Sequence, residues 1–100
     1  MDHRSLVELL HQDAPPADVP LLLRGVWHAL RGEWDEAHAI AQDDPTASGA
    51  WVHAWLHRIE GDLGNAGYWY RRAGRAACTG STEAEGLEIA AALLKTEAGR

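Results

Sequence analysis

The sequence predicts an all-α domain of about six helices. Three observations lead to this prediction. Apolar residues recur at spacings of three and four, no stretch alternates between apolar and polar residues as a strand would, and Gly, Pro and Asp interrupt the chain at short intervals. One hundred residues are enough for one domain with a modest core. We therefore expect a single helical unit.

The apolar spacing and the interruptions place each helix along the chain. The predicted helices span residues 4–13, 19–31, 34–42, 47–60, 63–77 and 81–98. Asp18 and Asp62 are interpreted as N-caps of the second and fifth helices. Thr82 and Glu85 have the spacing of a capping box at the start of the last helix.

Two glycines fall in the first turns of the fifth helix. Gly64 and Gly67 each cost about 1 kcal/mol there relative to alanine. That cost predicts that another helix approaches closely at this point.

Two parts of the chain resemble each other at an interval of 29 residues, from Gly32 to Gly61. In RGEWDEAHAIA and EGDLGNAGYWY, a large apolar residue follows the glycine by two positions and an alanine follows it by five. Seven residues before each glycine is a small residue, Gly25 or Ala54, where paired helices would cross. A helix–turn–helix repeat of this kind buries its apolar faces by stacking on a neighbour.

These positions resemble the tetratricopeptide and Sel1-like helical repeats over residues 19–77. The residues that match that family's second-helix pattern are Gly61, Leu63, Ala66, Tyr70 and Ala73, and those of the first copy are Gly25, Gly32, Trp34 and Ala37. The resemblance implies two helix–turn–helix pairs, flanked here by the terminal helices as caps, that present a binding surface to a peptide or protein. The block HAWLHRIEGDLGNAGYWYRRAG also resembles a segment of small uncharacterised bacterial and fungal proteins, which implies no activity.

Composition excludes several classes of partner. The formal net charge is −6, from 15 acidic and 9 basic residues. Such a chain repels phosphate backbones and anionic lipids, so we expect no nucleic-acid or membrane partner. The single Cys78 excludes an internal disulfide, and no apolar run is long enough to span a bilayer. We expect a soluble, cytoplasmic protein.

A metal-ligating pattern occurs in the fourth helix. His53, His57 and Glu60 lie at i, i+4 and i+7, on one side of the helix. Two imidazoles at this spacing can chelate a divalent ion such as zinc, with Glu60 or Asp62 as an oxygen ligand and His28 or His38 as distant contributors. The alternative is a polar flank whose histidines bond to neighbouring helices or to water. No other cofactor is expected.

The aromatic residues of the fourth and fifth helices form a second pattern. The five rings are those of Trp51, Trp55, Tyr68, Trp69 and Tyr70. They could line a recognition groove, because Trp and Tyr are frequent anchors of binding surfaces. In a chain with five Trp and no Phe, they could equally form the core or a homodimer interface.

The arginines near these rings allow two interpretations. Arg58, Arg71, Arg72 and Arg75 could gather around an anionic ligand. They could instead solvate helix ends, with Arg58 paired to Asp62 at i+4.

No nucleophile with a neighbouring base is evident. Ala54 occupies the position at which the metalloprotease motif HExxH requires Glu, and Cys78 is predicted to follow a helix C-terminus, where the dipole does not activate a thiol. No Gly-rich phosphate loop is present. The sequence therefore names no catalytic residue.

The combined prediction is a non-enzymatic module that binds a peptide, protein or small ligand. Its expected groove is lined by His53, His57, Trp51, Tyr68 and Arg71. One alternative is a small metal-dependent or acid–base enzyme that uses His53, His57 and Glu60. Another is a structural protein that self-associates.

Overall fold

Helices account for most of the chain in the computed structural model, which describes residues 3–14 and 18–98. The six helices are α1 (His3–Leu10), α2 (Leu21–Leu30), α3 (Trp34–Gln42), α4 (Ala47–Ile59), α5 (Leu63–Ala73) and α6 (Thr82–Ala98). No strand occurs in the described ranges. The predicted all-α class with six helices is confirmed.

The centre of the fold is α4. It packs against α2, α3, α5 and α6, and its nine consecutive residues Gly49–His57 are all buried. The hairpins α2–α3 and α4–α5 meet where α3 packs on α4, while α6 covers α2 and α4. The shorter α1 packs on α2 and α6.

The turns inside the two hairpins have the same geometry. Gly32 and Gly61 both adopt a left-handed backbone, with φ of 83° and 87°. The residue after each glycine donates its backbone N–H to a carbonyl five residues earlier, at 2.9 Å in both turns. This is the Schellman arrangement, which favours glycine because a Cβ would strain a positive φ.

A third such turn ends α5 earlier than predicted. Gly74 has a φ of 72°, and the Arg75 N–H donates to the carbonyl of Tyr70 at 3.0 Å. The helix therefore ends at Ala73 rather than Ala77, and Cys78 lies in the following irregular segment. The expected position of Cys78 at a helix C-terminus is wrong for the same reason.

The predicted N-caps have different outcomes. The Asp62 carboxylate accepts from the Asn65 backbone N–H at 3.2 Å, as predicted. Asp18 does not cap α2, which begins only after Pro20. At the start of α6, which the sequence places at Ser81 or Thr82, the Ser81 hydroxyl accepts from the Ala84 backbone N–H at 3.0 Å, and the predicted Thr82–Glu85 capping box does not form.

The close helix contacts occur at other glycines than predicted. A Cβ on Gly64 or Gly67 would meet no atom nearer than 3.5 Å. A Cβ on Gly86 would lie 2.6 Å from the Trp55 ring, and one on Gly25 would lie 3.4 Å from Ile40. Close packing therefore occurs between α6 and α4 and between α2 and α3.

Tryptophan indoles connect the helices by hydrogen bonds. Four indole N–H groups donate to acceptors outside their own helix: Trp27 to Gln12 O, Trp34 to Leu56 O, Trp51 to Glu85 Oε2 and Trp55 to Thr82 O, at 2.7–3.1 Å. Burying a polar N–H without a partner is costly, so these bonds restrict how the elements can pack.

The Glu85 carboxylate is the charged centre of the core. It is 1% exposed and accepts from the Trp51 indole, from the Tyr70 hydroxyl at 2.6 and 2.7 Å, and from the Arg58 guanidinium at 2.5 Å. Burial, reinforced by the bond to Glu85, raises the pKa of the Tyr70 hydroxyl. Arg58 thus pairs with Glu85 on α6, and its predicted pairing with Asp62 is wrong.

None of the helices in the described part of the chain combines the length and apolar character that crossing a membrane requires.

The contact at Gly86 gives a first prediction. We expect Gly86→Ala to lower the free energy of unfolding by about 2 kcal/mol, because the added methyl group overlaps the Trp55 ring. In the matched control, Gly67→Ala, the added methyl group has room, so we expect the free energy of unfolding to rise by about 0.5–1 kcal/mol. Urea denaturation followed by circular dichroism measures both, and equal stability of the two variants would contradict the packing described here.

The Glu85 network gives a second prediction. Glu85→Ala leaves the Arg58 charge and the Tyr70 hydroxyl without their partner. We therefore expect it to lower the free energy of unfolding by about 3–5 kcal/mol. The control Glu88→Ala removes a 61% exposed carboxylate that lies 3.7 Å from Arg75, with an expected change within about 0.5 kcal/mol. The same denaturation assay compares them. A similar small change in both variants would show that Glu85 does not hold α6 in place.

Candidate functional site

Three histidines converge where the two hairpins meet. His53 and His57 come from α4 and His38 from α3, and one ring nitrogen of each lies within 4.8 Å of the other two. The Nε2 atoms of His38 and His53 are 3.0 Å apart, so one ring donates an N–H and the other accepts it. The His53 and His57 rings stack at 4.9 Å. We call these three residues the histidine cluster.

A carboxylate holds the third ring in place. His57 Nδ1 lies 2.6 Å from Glu60 Oε1, three residues along the chain. With the proton on Nδ1, His57 donates to Glu60 and keeps the lone pair on its other nitrogen. Oxygen atoms of Glu60 and Asp62 also lie within 4.8 Å of a His57 nitrogen and of each other. Glu60 therefore orients the His57 ring.

Tryptophan rings cover two faces of the histidine cluster. Trp69 of α5 stacks on His53 with ring centres 3.9 Å apart, and Trp34 of α3 stacks on His38 at 4.6 Å. His53 is only 5% exposed as a result. The histidines are held between the two hairpins. The expectation that they bond to neighbouring helices is confirmed for His53, which bonds to His38 of α3, whereas His53 is not open to water.

The cluster favours neutral imidazoles. Burial, together with the neighbouring His38 and His57, lowers the pKa of His53 to about 4. Burial and His57 also lower the pKa of His38, although Glu60 and Asp35 act in the opposite direction. Both rings are therefore uncharged at neutral pH, the form in which imidazole binds metal ions or exchanges a proton.

The predicted metal-ligating set is brought together in part. His57 belongs to two groups: its ring nitrogens lie near those of His38 and His53, and also near the carboxylate oxygens of Glu60 and Asp62. His28 belongs to neither group: its Nδ1 lies 2.8 Å from Glu33 Oε1, and its ring contacts Trp27. The sequence could suggest His38 only as a distant contributor, because the packing of α3 on α4 decides its position.

The predicted groove does not form as one surface. Trp51 is buried on another side of α4, where it bonds to Glu85 and the Arg75 guanidinium lies 3.4 Å from the centre of its ring. His53 and His57 are also buried. Of the five residues expected to line the groove, only Tyr68 and Arg71 are exposed. The cause is that α4 is covered by four helices, so none of its faces remains open.

An exposed group of side chains lies on α5 beside the histidine cluster. Tyr68 is 45% exposed and meets the Trp69 ring edge-on at 5.2 Å. The Arg72 guanidinium lies 5.8 Å and 5.3 Å from the centres of these two rings and donates to the Tyr68 hydroxyl at 3.2 Å. We call Tyr68, Trp69 and Arg72 the aromatic–arginine surface. The i, i+4 spacing of Tyr68 and Arg72 is a sequence signal for this contact, whereas the predicted groove contains Arg71 instead of Arg72.

Comparison with known proteins adds no assignment: no protein-family model, no curated protein and no solved structure matches this chain.

The low pKa of His53 predicts acid sensitivity. Between pH 6.5 and about 4, the unfolded chain binds a proton at His53 that the native protein excludes. The free energy of unfolding therefore has its full value above this range and decreases as the pH is lowered through it. His53→Gln removes the group that binds this proton. Between pH 7 and pH 4, we therefore expect the free energy of unfolding of the wild type to fall by roughly 3 kcal/mol more than that of the variant. Urea denaturation at a series of pH values measures the difference. Parallel curves for the two proteins would contradict it.

Proposed function

We propose that the chain is a non-enzymatic binding module that recognises a peptide segment of a partner protein through the aromatic–arginine surface. The observation that carries the proposal is an exposed Tyr68 beside Trp69, with Arg72 over both rings. Tyr, Trp and Arg are the residues most enriched among binding hot spots. The resemblance of residues 19–77 to tetratricopeptide and Sel1-like repeats is in keeping with this function, as is a cytoplasmic location.

The surface is already ordered before any partner binds. Trp69 is fixed by its stack on His53, and Tyr68 is fixed by the Arg72 hydrogen bond and by the edge of Trp69. Side chains that are immobile in the free protein lose little conformational entropy on binding, so more of the contact energy contributes to affinity. The backing by the histidine cluster thus favours recognition at this position.

The charge of the surface indicates the chemistry of the partner. Arg71 and Arg72 are both in the last turn of α5, while the whole chain carries −6. A guanidinium beside aromatic rings suits a carboxylate that adjoins an apolar side chain. The proposed partner is therefore a peptide segment with an acidic residue next to an apolar or aromatic one.

A peptide selection tests this function. We expect a random peptide library, selected on the purified chain, to yield sequences with an acidic residue beside an apolar one. Tyr68→Ala and Arg72→Ala should each weaken binding of these peptides by about 1–2 kcal/mol, roughly 5- to 30-fold, in isothermal titration.

The control for this test is Arg24→Ala, which removes an exposed arginine on α2. Its affinity for the selected peptides should equal that of the wild type. If peptides bind Arg72→Ala and Tyr68→Ala as tightly as the wild type, or if no peptide is enriched, the proposed surface is wrong.

Two other functions have separate support. An acid–base or metal-dependent enzyme would use His53, His57 and Glu60. In support, the Glu60 carboxylate lies 2.6 Å from His57 Nδ1 and would orient that imidazole as a general base. Self-association would use exposed apolar residues such as Leu63, which is 70% exposed. Light scattering tests self-association: a dimer that Leu63→Glu dissociates would support it.

A further inference from the structure

We infer that His38, His53 and His57 form a binding site for one divalent transition-metal ion, of which zinc is the representative. The inference concerns the histidine cluster and does not depend on peptide recognition at the neighbouring aromatic–arginine surface. Three imidazole nitrogens and no sulfur or carboxylate in the first shell suit Zn²⁺, Cu²⁺ or Ni²⁺. They do not suit Mg²⁺ or Ca²⁺, which bind through oxygen ligands.

The distances between the ligating nitrogens are close to those of a bound state. With metal–nitrogen bonds of about 2.0–2.1 Å in tetrahedral geometry, two ligating nitrogens are about 3.4 Å apart. The His38 and His53 Nε2 atoms are 3.0 Å apart, and the ligating nitrogens of all three residues lie within 4.8 Å. The rings reach this spacing if they rotate so that each ligating nitrogen moves by about 1 Å and the His38–His53 hydrogen bond is broken.

In this inference Glu60 orients the His57 ring. Its carboxylate accepts from Nδ1 of His57, which leaves the other nitrogen of that ring as the ligand. Histidines that bind metals generally donate their second N–H to a carboxylate or carbonyl, which fixes the ring and strengthens it as a ligand. The sequence predicts Glu60 as a direct ligand, and its oxygens also lie within 4.8 Å of a His57 nitrogen and of Asp62.

Each ring of the histidine cluster already has a hydrogen-bond partner. His38 and His53 bond to each other through one nitrogen of each, and His57 bonds to Glu60 and stacks on His53. A bound metal ion would replace the His38–His53 bond and would join all three rings through one nitrogen of each.

Within the described part of the chain, the histidine cluster includes no fourth protein ligand. Cys78 lines a separate cavity with Arg58, Leu63 and Tyr70. A site with three protein ligands leaves the last position for water or an exchangeable ligand, whereas structural zinc sites are closed by four. Bound metal would also join α3 to α4 and so connect the two hairpins.

The test is metal binding by the full chain after treatment with a chelator. We expect isothermal titration to give one Zn²⁺ per chain. A zinc concentration 100 times the dissociation constant should raise the melting temperature by about 10 °C. Replacement by Co²⁺ should give the visible absorption of a four-coordinate site, which reports nitrogen ligation in the absence of any activity.

Single substitutions locate the site. His38→Ala, His57→Ala and His53→Ala should each weaken zinc binding at least 100-fold, and Glu60→Gln should weaken it about 10- to 100-fold. His11→Ala, outside the cluster, should bind as the wild type does. His38 is only half-buried, so His38→Ala decides the result if His53→Ala fails to fold.

Three outcomes would overturn the inference. One is the absence of a thermal shift or binding heat with Zn²⁺, Cu²⁺ and Ni²⁺. Another is zinc binding by His38→Ala with wild-type affinity. The third is loss of binding in His28→Ala instead, which would place the ion at the exposed group of His28, Glu33 and Glu36.

Discussion

The enclosure of α4 by four other helices is the constraint on which the rest of the structure depends. The buried segment Gly49–His57 covers more than two helical turns, so its side chains point in every direction around the axis. Each polar group on it must find its partner inside the protein. In the described part of the chain, no buried side-chain nitrogen or oxygen lacks a hydrogen-bond partner. The Glu85 network and the histidine cluster are both responses to this requirement.

The preference for tryptophan over phenylalanine follows from the same requirement. A phenyl ring would fill comparable volume but would donate nothing, whereas an indole fills the core and also bonds to a specific acceptor. Trp51 and Trp55 both project from α4 and donate to groups of α6, so the last helix is held by directional bonds as well as apolar contact. Gly86 provides the space for the Trp55 ring. The abundance of tryptophan in the sequence is therefore explained by the way the helices pack.

Features of the fold that depend on interactions between residues close in sequence could be predicted, whereas those that depend on contacts between distant helices could not. The helices and the Gly61 turn follow from spacing along the chain, and they were predicted. The assignments of Glu85 to a capping box and of Arg58 to Asp62 applied local rules, and both failed because a buried ion pair between distant helices took precedence. Likewise, the end of α5 was placed at Ala77, although Gly74 is the residue type that ends such helices.

The candidate site shows the same division between local pattern and tertiary packing. The spacing of His53 and His57 correctly put them on one side of α4, but it could not show that α3 and α5 cover that side.

The two hairpin turns provide the clearest comparison. His28 and His57 are equivalent in them, since the carbonyl of each accepts the closing N–H of a Schellman turn. Each is held by a glutamate of its own turn, His28 by Glu33 and His57 by Glu60. His57 also stacks on His53 of its own helix, and it meets His38 because α3 packs on α4. The histidine cluster is thus produced by the stacking of one hairpin on the next, and a single hairpin would not contain it.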